Sequence, residues 1–153
     1  MKTIKYLAFL PLFFLSACSS LILKPADFAW PVETVLKVDD TGKVDIPRYS
    51  IAFNTQALFL KETKDSSAYK NQEIRVIRNT KGFYFMVANN FKNVYVFKVD
   101  DGTFRLDRKI EISDSTGIQN PAFNQRPPYI ELVYGNNKVN LTEKGIEKEE
   151  AKK

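Results

Sequence analysis

The chain has 153 residues, enough for one domain with its own core, and its 44% hydrophobic content and many Phe and Tyr residues favour a strand-rich globular protein. There is no histidine and only one cysteine, which excludes histidine general-base chemistry, an intramolecular disulfide and a cysteine-rich zinc site. The formal net charge of +5 is scattered, with no basic run among aromatic residues, so the sequence predicts no nucleic-acid partner.

Residues 1–17 have the layout of a secretory signal peptide. They begin with Lys2 and Lys5, continue as an apolar stretch and end in small residues. The apolar stretch is shorter than the ~20 residues needed to span a bilayer, and Pro11 disfavours a long membrane helix. We therefore expect residues 1–17 to direct export.

The letters LSAC, from Leu15 to Cys18, close this segment. They resemble the lipobox of bacterial lipoproteins, in which an aliphatic residue and two small residues precede a cysteine. The resemblance implies a diacylglycerol on the Cys18 sulfur, cleavage between Ala17 and Cys18, and acylation of the new amine. In enteric bacteria, Ser19 in the next position further implies the outer membrane. The alternative is an ordinary signal peptide that leaves Cys18 as a spare thiol.

Residues 18–31 are expected to be the lipidated N-terminus and a short tether. Fully extended, residues 19–31 reach only about 45 Å, so the domain should lie close to its membrane. Phe28 and Trp30 either rest at the lipid interface or pack on the domain edge. Packing is favoured, because large aromatic side chains usually find burial in a small core.

From Val32 onward, apolar residues recur with period two, and turn signals follow about every ten residues. This pattern predicts a single antiparallel all-β domain over residues 32–142, built as a small barrel or a two-layer sandwich of about eight strands. No helix is expected before the charged tail 143–153, which we expect to be disordered. The predicted strands are 32–39, 44–53 (with an edge or bulge at Pro47), 56–62, 73–78, 83–88, 95–99, 103–112 and 129–134.

The hairpin that turns at residues 89–93 is predicted to lie at the centre of the sheet. If those five residues form its loop, Phe85 faces Phe97 and Met86 faces Val96. Both faces are then apolar, so these strands should be covered on both sides.

No constellation of residues points to catalysis or metal binding. The Asp39/Asp40 and Asp100/Asp101 pairs lack the alternate-residue spacing of an EF-hand loop. Nothing in the sequence singles out a serine with an activating lysine. We therefore predict no catalytic residue, no cofactor and no metal site.

Residues 113–128 lack a strand pattern and form an unusually long predicted loop. Its candidate binding residues are Phe123, Asn124, Gln125 and Arg126, which precede two prolines. One hypothesis is a loop that binds a partner protein or a glycan. The favoured alternative is that Phe123 plugs one end of the barrel while the prolines only position the last strand.

These observations predict a lipoprotein of the bacterial cell envelope, most simply of the outer membrane, whose partners are membrane lipid through Cys18 and an envelope protein complex. Its expected role is non-catalytic binding or structure. The alternative is a small-ligand carrier or a carboxylate-dependent hydrolase. A cavity of a few hundred cubic ångströms lined by convergent polar groups would favour this alternative, and a solid core would count against it.

Overall fold

A computed structural model describes residues 28–113 and 116–147 and shows an antiparallel all-β fold with one short α-helix. The signal peptide, its cleavage at Ala17, the lipid attachment at Cys18, and the ends of the tether and tail lie outside the described residues. The elements are β1 (Thr34–Lys37), β2 (Lys43–Ile46), β3 (Ile51–Asn54), α1 (Gln56–Thr63), β4 (Glu73–Arg78), β5 (Phe83–Ala88), β6 (Asn93–Asp100), β7 (Thr103–Glu111), β8 (Ala122–Arg126), β9 (Tyr129–Tyr134), β10 (Asn137–Thr142) and β11 (Gly145–Glu147).

The described strands form three open sheets. A five-stranded sheet has the order β1-β4-β5-β6-β7, a four-stranded sheet has the order β11-β10-β9-β8, and β2 pairs with β3 alone. The small barrel predicted as one alternative is therefore wrong, because β1 and β7 remain separate edges of the larger sheet. Side chains from all three sheets join one hydrophobic core.

Strand β5 lies at the centre of the core, as predicted. Every residue from Tyr84 to Ala88 is buried, although successive side chains point to opposite faces of the sheet. The predicted register is wrong by one residue, since Phe85 pairs with Val96 and Met86 pairs with Tyr95. The loop is shorter than expected because Asn93 already belongs to β6.

Two of the predicted strands have different structures. Residues 56–62 belong to α1, whose first N–H, that of Gln56, is accepted by Asn54 Oδ1 at 2.9 Å. The predicted strand 44–53 is a hairpin instead, because Pro47 begins a 3-10 turn between β2 and β3. Proline cannot donate to a strand ladder, so it ends β2 rather than forming a bulge.

The predicted loop 113–128 is partly a strand. Residues 122–126 form β8 and pair with β9, which corrects the sequence prediction. The preceding residues are fixed to the β5–β6 connection, where Asn90 N donates to Ile118 O at 2.8 Å and Ile118 N donates to Phe91 O at 2.6 Å. Glycine is required at position 117, beside Ile118, because the backbone there has a φ of +65° and a Cβ would lie 2.7 Å from Asn90 O.

The ordered chain also continues past the predicted end of the domain. Residues 145–147 form β11 against β10, so the expectation of a disordered tail from residue 143 is wrong for this part. At the other end, Trp30 is only 2% exposed and stacks on Tyr49 with ring centroids 4.3 Å apart. This confirms the predicted packing for Trp30, whereas Phe28 remains 49% exposed.

Strand β7 is an exposed edge strand with a bulge. The β6–β7 register shifts between Val96 and Phe97, and Asp107 is the extra residue that the shift leaves unpaired. The period-two pattern of the predicted strand 103–112 therefore does not extend through β7, since Ile110 is the buried residue of β7 while Leu106 is exposed.

Candidate binding site

The four candidate residues predicted from sequence lie on two faces of β8. Phe123 points inward and is buried, and Gln125 Nε2 donates to the Arg78 carbonyl at 2.8 Å. Asn124 and Arg126 both contact Glu131 on β9. The strand thus separates the predicted set into two pairs and does not gather it into one site; its role in binding stays a prediction.

The contacts of Asn124 and Arg126 satisfy a buried carboxylate. Arg126 Nη1 donates to Glu131 Oε2 at 2.7 Å, and Asn124 Nδ2 lies 3.4 Å from Oε1. Burial opposes the charged form of Glu131, but these hydrogen bonds and the nearby positive charge outweigh it and hold its pKa below the ordinary value. This group stabilises the outer face of the four-stranded sheet.

A second embedded carboxylate belongs to Glu62, near the end of α1. It accepts hydrogen bonds from the Tyr95 hydroxyl at 2.6 Å, Asn93 Nδ2 at 2.5 Å and Lys92 N at 2.8 Å. Burial of the Tyr95 ring, together with the Glu62 carboxylate, raises the pKa of Tyr95 well above its ordinary value. These contacts fasten α1 to β6.

Between the β2–β3 hairpin with α1 on one side and strands β5–β7 on the other lies a cleft of about 620 Å³. Its lining contains no Asp, Glu, Lys or Arg. Its apolar walls come from two segments that are distant in the chain, residues 50–58 and 84–104, which the fold brings together. The larger apolar side chains of the lining are Ile51, Phe53, Leu58, Met86, Phe97 and Phe104.

Phe104 organises the aromatic wall of the cleft. Its ring meets those of Phe53, Tyr84 and Phe97 edge to face, with centroid distances of 5.3, 4.8 and 6.2 Å. Such edge-to-face pairs are favourable because the positive ring edge meets a negative ring face. The wall is therefore built by contacts within the protein and does not depend on a ligand.

Two of the four polar side chains of the lining, Asn54 and Thr103, are already bonded within the protein. Asn54 accepts from Gln56 N at 2.9 Å and donates to Thr41 O at 3.0 Å, while the Thr103 hydroxyl donates to Asp100 O at 2.8 Å. Within the described residues, the hydroxyls of Ser50 and Tyr84 make no hydrogen bond. The cleft therefore offers a largely apolar surface with few free polar side chains.

The mouth of the cleft is apolar as well. Val99 lines it and is 42% exposed, and the neighbouring Leu106 is also exposed. Phe53, Phe97 and Phe104 are only partly buried. Isolated exposed apolar residues are ordinary, but a contiguous group around a cleft marks a binding surface.

Sequence reasoning missed this site because it depends on long-range packing. Phe104 and Phe97 read as core residues of alternating strands, and nothing local shows that the β2–β3 hairpin leaves them partly uncovered. The sequence signal was the apolar character of Val99 and Leu106. These two residues extend the apolar face of β6 and β7, and both are exposed in the structure.

In residues 28–113 and 116–147, no three His, Cys, Asp or Glu side chains gather in a way that could hold a metal ion. The same part of the chain contains no helix with the length and apolar character needed to cross a membrane.

Comparison of the chain with protein-family models gave no match. The searches of curated proteins and of solved structures gave no significant match either.

Proposed function

We propose that this chain is a bacterial lipoprotein, held at the cell envelope by lipid on Cys18, whose domain has a non-catalytic binding role exercised through the apolar cleft. The lipobox-like LSAC sequence supports the anchor and a location at the outer membrane. The lining of the cleft, which contains no formally charged side chain, supports binding. General acid–base catalysis draws on titratable groups placed beside the substrate, whereas an apolar lining favours apolar contact.

The Glu62 and Glu131 carboxylates do not favour the hydrolase alternative. Glu62 and Glu131 are each occupied by donors from neighbouring strands, and their contacts account for their burial. Because these hydrogen bonds stabilise the fold, both groups are better explained as structural. The volume of the cleft favours a binding protein over a purely structural one.

The anchor is tested by Cys18→Ala, with Ser19→Ala as the matched control. We expect Cys18→Ala to move the protein out of the detergent phase on phase partition, while Ser19→Ala stays in it. The reason is that the acyl chains on Cys18 attach the protein to the membrane. Unchanged partition of Cys18→Ala would refute the lipid anchor.

The binding role of the cleft is tested by placing a benzophenone amino acid at Val99 or at Val35 in intact cells. The two positions are matched in exposure, at 42% and 43%, but Val99 lies on β6 and lines the cleft, whereas Val35 lies on the edge strand β1 and does not. Irradiation should give a discrete adduct from position 99 and little from position 35. No adduct from position 99, or equal adducts from both, would contradict binding at the cleft.

A further inference from the structure

We infer that the cleft binds one acyl chain of a membrane lipid. This inference rests on the proposed function, since it names the ligand class for the same site. Three observations support it: the few free polar side chains of the lining, the size of the cleft, and the short distance in sequence between Cys18 and the start of the described chain.

The hydrogen-bonding state of the lining favours a chain without polar groups. An extended peptide brings an N–H and a C=O with every residue, and each needs a partner when it is buried. The side chains of Asn54 and Thr103 are already bonded to neighbouring residues. An acyl chain needs no such partners and leaves no charge buried, so it matches this lining where a peptide does not.

The size and shape of the cleft also fit a chain. A dry cavity of about 150 Å³ is enough to hold benzene, and a cleft of about 620 Å³ is about four times larger. Its wall of edge-to-face aromatic rings continues to an apolar mouth at Val99. An acyl chain can therefore contact apolar atoms along its length.

The lining also holds two free hydroxyls that can bind the polar end of such a ligand. The unbonded hydroxyls of Ser50 and Tyr84 can donate to an ester or carboxyl oxygen. The Tyr84 ring also contacts Trp30, with centroids 5.4 Å apart, so this end of the cleft adjoins the point where the described chain begins.

The anchor brings this end of the cleft near a bilayer. Phe28 is ten residues after Cys18, and ten extended residues span only about 35 Å. Membrane lipid is the favoured source of the chain over the acyl groups on Cys18, because stable anchoring uses those groups within the bilayer. Free lipids around the anchor are also far more numerous.

The test places the benzophenone amino acid at Thr103, an exposed residue of the lining, in the full chain in intact cells. After irradiation, the purified protein is digested and the adducts are identified by mass spectrometry. A matched pair, Val99→Asp and Val99→Asn, is made in the same background. Val99 is exposed enough for both variants to fold, and the two side chains differ in charge but hardly in shape.

We expect an adduct with the mass of a phospholipid or fatty acid on the peptide that contains position 103. Val99→Asp should lower its yield about tenfold relative to Val99→Asn, because a carboxylate beside the chain must lose water when the ligand binds. A protein adduct, or a crosslink to the peptide that contains Cys18, would overturn the lipid inference and leave the cleft as a binding site. Equal yields from the two variants would overturn it too. Absence of any adduct would overturn both the inference and the proposed binding role of the cleft.

Discussion

Replacing Phe123 with alanine separates a structural role for β8 from a binding role. The Phe123 ring is 2% exposed, and the residue pairs with Leu132, which is fully buried. Truncating a buried phenylalanine costs about 3–5 kcal/mol, because transfer energy is lost and a cavity remains. Against a total stability of about 5–15 kcal/mol for a domain, this is a large fraction.

The assay is urea unfolding followed by the fluorescence of Trp30. Trp30 is the single tryptophan of the chain and is stacked on Tyr49 inside the domain, so its emission reports the loss of tertiary structure. Phe123→Leu keeps most of the apolar volume and should cost less than ~1.5 kcal/mol. Arg126→Ala removes a side chain that is largely exposed and should cost about 1–2 kcal/mol through Glu131.

The reasoning would be refuted if Phe123→Ala lowered the free energy of unfolding by less than ~1 kcal/mol, the level of an ordinary surface substitution. Loss of an envelope partner from Phe123→Ala or Arg126→Ala at unchanged stability would instead establish the binding role that the sequence suggested for residues 123–126.

Three further predictions concern stability. Gly117→Ala should destabilise the domain by about 1–3 kcal/mol, because the new Cβ meets the Asn90 carbonyl at a left-handed position; a melting temperature equal to that of the unmodified protein would contradict this. Glu62→Gln should cost about 1–2 kcal/mol at neutral pH and lower the pKa of Tyr95 in an alkaline absorbance titration. Since the folded-state pKa of Tyr95 lies above its unfolded value, its contribution to stability should also fall as the pH rises above about 10. An unchanged tyrosine titration in Glu62→Gln would count against the contact between Glu62 and Tyr95. The pKa of Glu131 is lowered, so its contribution to stability is present above the ordinary value of 4.5 and is lost as the pH falls below it; Glu131→Gln should flatten this acid dependence, and an unaltered acid profile would exclude the assignment.

The strands with strong alternation and clear turns could be predicted from the sequence. Residues 73–78, 83–88 and 129–134 match β4, β5 and β9 from end to end. In each, β-branched or aromatic residues stand between turn residues, and burial on one or both faces agrees with the local preference. Local and global preferences therefore coincide in these segments.

The helix and the hairpin register could not be predicted from the pattern of apolar residues. The run Ala57 to Leu60 is apolar throughout, and such a short run fits a buried strand as well as a helix. Strong helix formers around it, such as Gln56 and Lys61, were the signal that favoured α1. The register of β5 against β6 depended on whether Asn93 belonged to the loop or to β6. Its pairing with Glu111 on β7 places it in β6.

The cleft lay beyond the reach of sequence reasoning for a different reason. It depends on the distance between two layers, since Phe53 and Phe104 come from separate sheets and meet at 5.3 Å. Period-two alternation assigns each of them to an inward face. It contains no information on whether the opposing layer covers that face completely.

The bulge at Asp107 bears on how these molecules behave when they are crowded together. A chain anchored in a membrane, as we propose here, diffuses in two dimensions and meets its copies more often than it would in free solution. An open nine-residue edge such as β7 could then pair with the same edge of a neighbour and begin aggregation. The kink at Asp107 and the exposed charges of Arg105, Arg108 and Lys109 oppose that pairing, because they distort the ladder and place like charges across the contact. We therefore expect the irregular edge of β7 to disfavour self-association of the anchored domains.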